Sequence, residues 1–142
     1  MSIWFKPYKL ADLTQRVGMA KHLGIEFTEI GPDFLRGRMP VEDRTHQPYG
    51  LLHGGASVAL AETLGSYAAT LVVDPSEYRC LGQEINANHL RGIASGYVIG
   101  TARPIHIGRR SQVWDIRITD EQDKMVCISR LTMAVIEVEP QA

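Results

Sequence analysis

The order of elements in this sequence predicts an α+β fold in which an antiparallel β-sheet wraps around one long central α-helix. Three observations carry that expectation. Residues 54–72 form a single apolar run of helical length, four strand-like segments follow it, and a short helix with a two-stranded hairpin precedes it. The 142 residues suit one compact domain, and neither a linker nor an internal repeat interrupts them, so we read 1–142 as a single domain.

Taken in order, residues 10–23 place Leu10, Leu13, Val17, Ala20 and Leu23 at spacings of three and four, one face of a short amphipathic helix that Gly24 ends. Residues 25–29 and 34–39 flank Gly31-Pro32-Asp33, a turn composition, and read as a hairpin. Residues 43–50 are polar and read as a loop. From Gly54 onward, Ala56, Val58, Ala59, Leu60, Ala61, Leu64, Tyr67, Ala68, Ala69, Leu71 and Val72 cover most of the helix circumference, the pattern of a helix enclosed by other structure. Residues 79–90, 96–103, 111–119 and 125–138 are strand-like, and the turn at 120–124 joins the last two as a hairpin.

Composition narrows the function by exclusion. Lys plus Arg number 15 against 16 Asp plus Glu, a balance with no field to hold a nucleic acid. No stretch approaches the ~18 apolar residues of a membrane span, and residues 1–10, with Trp4, Phe5 and Tyr8 among polar neighbours, lack the pattern of a signal peptide. The expectation is a cytoplasmic protein. Cys80 and Cys127 have neither metal-ligand nor redox spacing and read as free thiols. His22, His46, His53, His89 and His106 show no ligand spacing either, so no metal is expected. The nucleophile elbow, the phosphate-binding loop, the dinucleotide fingerprint and the zinc-protease helix motif are all missing.

Glu62 stands out as an ionisable group in the middle of the most apolar helix. With Ser66 and Thr70 it forms a stripe of every fourth residue, beside Thr63, which serves either chemistry or contact with solvent. The same helix opens on Leu51-Leu52-His53-Gly54-Gly55, where no bulky side chain covers the first free N–H groups, a suitable place for a developing negative charge. A charge-stabilising N–H and a carboxylate are two parts of acyl-transfer chemistry. Eight residues of helix separate Gly54 from Glu62 by about 12 Å, too far for one carbonyl carbon, so the spacing points to a symmetric dimer whose sites each draw on both chains.

These residues also resemble a known family. The run Gln47-Pro48-Tyr49-Gly50-Leu51-Leu52-His53-Gly54-Gly55-Ala56-Ser57, followed by Ala61-Glu62-Thr63-Leu64-Gly65-Ser66, resembles the signature of hotdog-fold acyl-CoA thioesterases. More narrowly it is similar to the branch of hydroxybenzoyl-CoA thioesterase, dihydroxynaphthoyl-CoA hydrolase and the proofreading thioesterase of enterobactin synthesis. Glu84-Ile85-Asn86-Ala87-Asn88-His89-Leu90-Arg91, Gln112-Val113-Trp114 and Ser129-Arg130-Leu131-Thr132 extend the resemblance over nearly the whole chain.

The resemblance implies that Glu62 is nucleophile or general base and that the Gly54 N–H polarises the thioester carbonyl. It implies that Gln47 and His53 orient the thioester and support the oxyanion, and that Ser66 helps to hold water or the thiol leaving group. Coenzyme A, which is part of the substrate and not a cofactor, would lie along Gly82, along His89, Leu90, Arg91 and Gly92, and along His106, Ile107, Gly108, Arg109, Arg110 and Ser111. Arg91, His106, Arg109 and Arg110 would meet its phosphates. The family's usual assembly, a homodimer paired into a homotetramer, is implied as well. Aromatic acyl groups are the first expectation and medium-chain aliphatic ones the second, the choice depending on side chains such as Val58, Tyr67 and neighbours across the dimer. A hotdog dehydratase or hydratase and a non-catalytic acyl-CoA binding module are the alternatives.

Overall fold

Alternating apolar and polar residues in the second half of the chain pair into an antiparallel sheet that closes over one helix. The computed structural model describes residues 1–13 and 17–139. Two α-helices, α1 (Gly18–His22) and α2 (Gly54–Val72), accompany strands β1 (Glu26–Ile30), β2 (Leu35–Pro40), β3 (Tyr78–His89), β4 (Tyr97–Ile107), β5 (Ser111–Thr119) and β6 (Met125–Glu137). The strands lie in the order β1-β2-β4-β5-β6-β3, every neighbouring pair antiparallel. Short turns join β1 to β2, β4 to β5 and β5 to β6. By contrast β3, which follows the long helix, pairs with β6 on one side and forms the edge of the sheet on the other. Helix α2 rests against β2 to β6.

Burial follows the strand period. On β5, Gln112, Trp114, Ile116 and Ile118 face α2 and are fully buried, while Arg117 on the opposite face pairs with Asp115. From the helix, Leu60, Ala61, Leu64 and Ala68 fill the concavity. Gly37 and Gly100 are direct cross-strand partners beneath Leu64. A Cβ on Gly37 would lie 2.8 Å from one Leu64 methyl, and one on Gly100 would lie 2.6 Å from the other. The two glycines thus form a notch that lets the helix settle onto the sheet, and seating Leu64 there contributes about 1.5–3 kcal/mol. Gly100→Val is expected to overpack this notch and lower stability by roughly 1–3 kcal/mol, read as a lower urea midpoint.

The buried Gln112 is fully satisfied. Its carbonyl accepts from Trp114 Nε1 at 2.8 Å, and its amide donates to the Ala69 carbonyl at 3.4 Å. Trp114 in turn stacks on Trp4, with ring centroids 6.4 Å apart. The amino-terminal segment is tied to the hairpin turn and to the end of α2 by Ile3 N–H to Pro32 O (3.0 Å), Trp4 Nε1 to Gly31 O (2.7 Å) and Phe5 N–H to Leu71 O (2.9 Å).

Three expectations about the elements need correction. The single helix over 10–23 is instead a 3-10 turn at Leu10–Leu13 and the five-residue α1; residues 14–16 lie outside the described residues. Val17 is extended and 75% exposed, and Gly18, the first residue of α1, has φ +58°, so the chain turns there and does not continue a helix from the residues before it. Strand β4 runs on to Ile107 because Pro104, which lacks the N–H that a ladder needs, stands at a register shift between Pro104 and His106. Finally, within one chain α2 packs fully on one face. Val58, Ala59, Glu62, Thr63 and Ser66 on the other are half-buried, and Thr70 is exposed.

Candidate active site

The loop before α2 is held by its own backbone. His53 N–H donates to Thr45 O (2.8 Å), Leu52 N–H to Ile93 O (2.7 Å) and Gln47 N–H to Leu51 O (2.8 Å), so the turn is fixed at both ends. His53 caps the helix, its Nδ1 accepting from Gly55 N–H at 2.8 Å. A ring nitrogen that accepts carries no proton, so this arrangement needs the neutral imidazole with its hydrogen on Nε2. Ala56 and Ser57 direct their N–H groups to His53 O, at 2.9 and 3.2 Å. The Gly54 N–H is left without an acceptor among the described residues, at the positive end of the helix dipole.

That N–H lies at a cavity of about 400 Å³ lined by Gln47, Leu51, Leu52, Gly54, Ser57, His89, Leu90, Arg91, Gly92 and Val126. The His89 ring lies over Gly54, and a Cβ on the glycine would come 2.8 Å from its Nε2. Gln47 Oε1 accepts from the Tyr49 N–H, which leaves the amide nitrogen as a donor. The lining contains donors and apolar surface and no carboxylate. Such a site suits an acceptor oxygen whose charge grows during reaction.

The carboxylate lies elsewhere on the chain. Glu62 is half-buried against the edge strand, where a Cβ on Gly82 would come 2.7 Å from its Oε1, so a larger residue there would push the end of the carboxylate aside. No hydrogen bond or ion pair holds the Glu62 carboxylate among the described residues. One turn on, Ser66 Oγ contacts Met133 Sδ at 3.7 Å. The donor-lined cavity and the unengaged carboxylate thus stand about 12 Å apart along one helix.

The sequence of residues 49–127 matches the thioesterase superfamily. The chain belongs to that family. It is a thioester hydrolase with the hotdog arrangement of one long helix in an antiparallel sheet. It is 52% identical to the proofreading thioesterase EntH of Cronobacter turicensis over 118 residues, 83% of this chain and 85% of the relative. The fold superposes with a TM-score of 0.93 on the crystal structure of a mutant thioesterase from Pseudomonas aeruginosa, 50% identical, covering 96% of this chain and all of that one. A thioesterase from Haemophilus influenzae gives the same TM-score at 46% identity, with 98% of each chain covered.

Within this thioesterase the residues singled out from the sequence fall into three groups. Gln47, Gly54, His89, Leu90, Arg91 and Gly92 share the cavity, with His53 capping the helix at its rim. Glu62, Ser66 and Gly82 form the second group on the β3 side of α2. His106, Ile107, Gly108, Arg109, Arg110 and Ser111 form the third, at the opposite end of the sheet. Their strand β5 begins level with Ala134, whereas His89 is level with Cys127 and Ile118. Seven strand residues, about 23 Å, therefore separate the third group from the cavity within one chain. His106, Ile107 and Ser111 are strand residues, so the loop itself is only 108–110. Tyr67 packs on Phe27, ring centroids 4.6 Å apart, about 140° around the helix from Glu62. Burial and the neighbouring Tyr8 push its phenol above the usual range.

Leu51, Leu52, Ser57 and Val126 line the cavity without having been assigned a part in the site. Ser57 was legible in principle, three residues after Gly54 on the same helix face. Val126 was not, because only the pairing of β6 with β3 brings it beside Leu90, whose N–H donates to the Val126 carbonyl at 2.8 Å.

Proposed function

We propose that this thioesterase hydrolyses acyl-CoA thioesters, aromatic ones foremost and medium-chain aliphatic ones second, at sites shared between two subunits in the cytoplasm. The observation that carries this reading is the separation of an acid-free, donor-lined cavity from the unengaged Glu62 on the same helix. The 12-residue strand β3 offers an open edge on which a second copy can add its own β3. Val58 and Ala59, half-buried beside Glu62, would be covered in the same step. Two such dimers would make the homotetramer.

In the proposed reaction the thioester oxygen accepts from the Gly54 N–H, with Gln47 and His53 orienting the ester. Glu62 of the partner subunit either attacks the carbonyl carbon, giving a mixed anhydride that water then opens, or takes a proton from the water that attacks. Ser66 steadies the water or the departing thiol. The C–S bond breaks with its electron pair on sulfur, and the products are the free acid and CoA. Arg91 reaches towards the phosphates from the cavity while Asp120 lies 3.9 Å from it. Arg109 and Arg110, exposed and without ion pairs among the described residues, are positioned to add charge from another subunit. The aromatic preference rests on the resemblance of the run 47–66.

Subunit mixing tests the shared site. Glu62→Gln and Gly54→Val should each be inactive, the second because its side chain collides with the His89 ring. Unfolded together and refolded one to one, half the dimers are mixed and each contains one intact site of two, so activity returns to about a quarter of wild type. No recovery would sink the shared site, and a wild type that releases no CoA from any ester would sink the activity. Burial raises both the Cys80 and Cys127 thiols above the ordinary range, against the Ser129 hydrogen bond at Cys127, and direct thioester absorbance reads the hydrolysis without a thiol reagent.

A further inference from the structure

We propose that Ser57 is a further substrate-contacting residue, its hydroxyl donating a second hydrogen bond to the thioester oxygen that the Gly54 N–H meets; this rests on the function proposed above. Ser57 is 2% exposed and belongs to the lining of the donor cavity. Its hydroxyl has no hydrogen-bond partner among the described residues, yet no buried side-chain oxygen is sealed off without one. The hydroxyl therefore opens onto the space beside it, which is the cavity.

The helix itself explains why this hydroxyl is free. Serine and threonine within helices usually fold back onto the carbonyl four residues earlier. Thr63 does so on Ala59 O at 2.6 Å and Thr70 on Ser66 O at 3.0 Å, both in α2. For Ser57 that carbonyl belongs to His53, which already accepts from the N–H groups of Ala56 and Ser57. With its local acceptor taken, the hydroxyl has only the cavity to serve.

Direction and distance then select the target. A helical Cβ tilts towards the amino end, so the Ser57 side chain leans back over the turn that contains Gly54. Residues three apart on a helix have Cβ positions about 5–6 Å apart, close enough for one oxygen to be reached from both. The cavity lining offers no carboxylate for the hydroxyl to donate to. A substrate oxygen fits there, and the thioester oxygen is the one held beside Gly54 in the proposed reaction.

The test uses full-length wild type, Ser57→Ala, Ser57→Thr and Ser57→Cys with benzoyl-CoA, together with the infrared carbonyl stretch of a bound ketone analogue carrying a methylene between carbonyl and sulfur. Ser57→Ala should lose roughly tenfold or more in kcat with little change in KM, since the bond strengthens as charge develops on oxygen. The analogue's carbonyl stretch should move to higher frequency in that variant. Ser57→Thr, which keeps the hydroxyl, should recover part of the loss, and Ser57→Cys, a near-isosteric weak donor, should fall between wild type and Ala. Unchanged kcat and stretch in an active background would overturn the assignment to Ser57 alone. A change confined to KM would overturn it too, by placing the hydroxyl on the thiol arm of the substrate. A wild type without thioesterase activity would overturn both this assignment and the function beneath it.

Discussion

Replacing Glu62 by Gln is expected to lower kcat for benzoyl-CoA at least ~100-fold, within the range for loss of a general base or nucleophile, while the unfolding midpoint stays where it is. The two halves of this expectation come from the same observation. Glu62 is half-buried and has neither a hydrogen bond nor an ion pair among the described residues, so the fold gives up no interaction when its charge is removed. Glutamine keeps the shape against Gly82 but can neither attack a carbonyl nor take a proton from water. Steady-state hydrolysis and a urea titration of both proteins check it. A variant with wild-type turnover would show that Glu62 is not the reacting carboxylate.

Gly82→Val should cost roughly ten- to a hundredfold in kcat with Glu62 chemically intact. The glycine lies on exposed strand β3, where a β-branched residue is compatible with the backbone. Its Cβ would nevertheless fall 2.7 Å from Glu62 Oε1, and the carboxylate must turn away. An ångström of misplacement at a reacting group costs about a hundredfold. Shortening the acid restores the space, so Glu62→Asp should hurt less in the Gly82→Val background than in wild type, a coupling that a double-mutant cycle measures. Purely additive losses would mean that Gly82 acts through the sheet and not through the carboxylate.

The fold was legible where a local pattern and a tertiary environment agree. Helix α2 spans Gly54–Val72 as its apolar run indicates, and β5 spans Ser111–Thr119 as its alternation indicates, because each packs its period against the same core. Legibility failed where local signals were weak or misleading. The spacing of Leu10, Leu13, Val17 and Ala20 mimics a helical stripe, but Val17 remains exposed and Gly18 turns the chain. Pro104 reads as a strand end, yet a register shift absorbs it.

By itself the sequence determined the long helix and the strands, the open helix start at Gly54 and the acid at Glu62 within an apolar helix, since each is a property of residues near one another along the chain. Eight helical residues also required that the N–H and the carboxylate stand about 12 Å apart, whatever the rest of the fold. Only the tertiary structure decided which residues join them. The pairing of β3 with β6 carries His89 over Gly54 and Val126 into the cavity, and it puts Gly82 behind Glu62. The pairing of β5 with β4 and β6 sends His106 to Ser111 to the far end of the sheet, about 23 Å away. Sheet register is a long-range choice, set by which faces bury together, and no local run of residues encodes it.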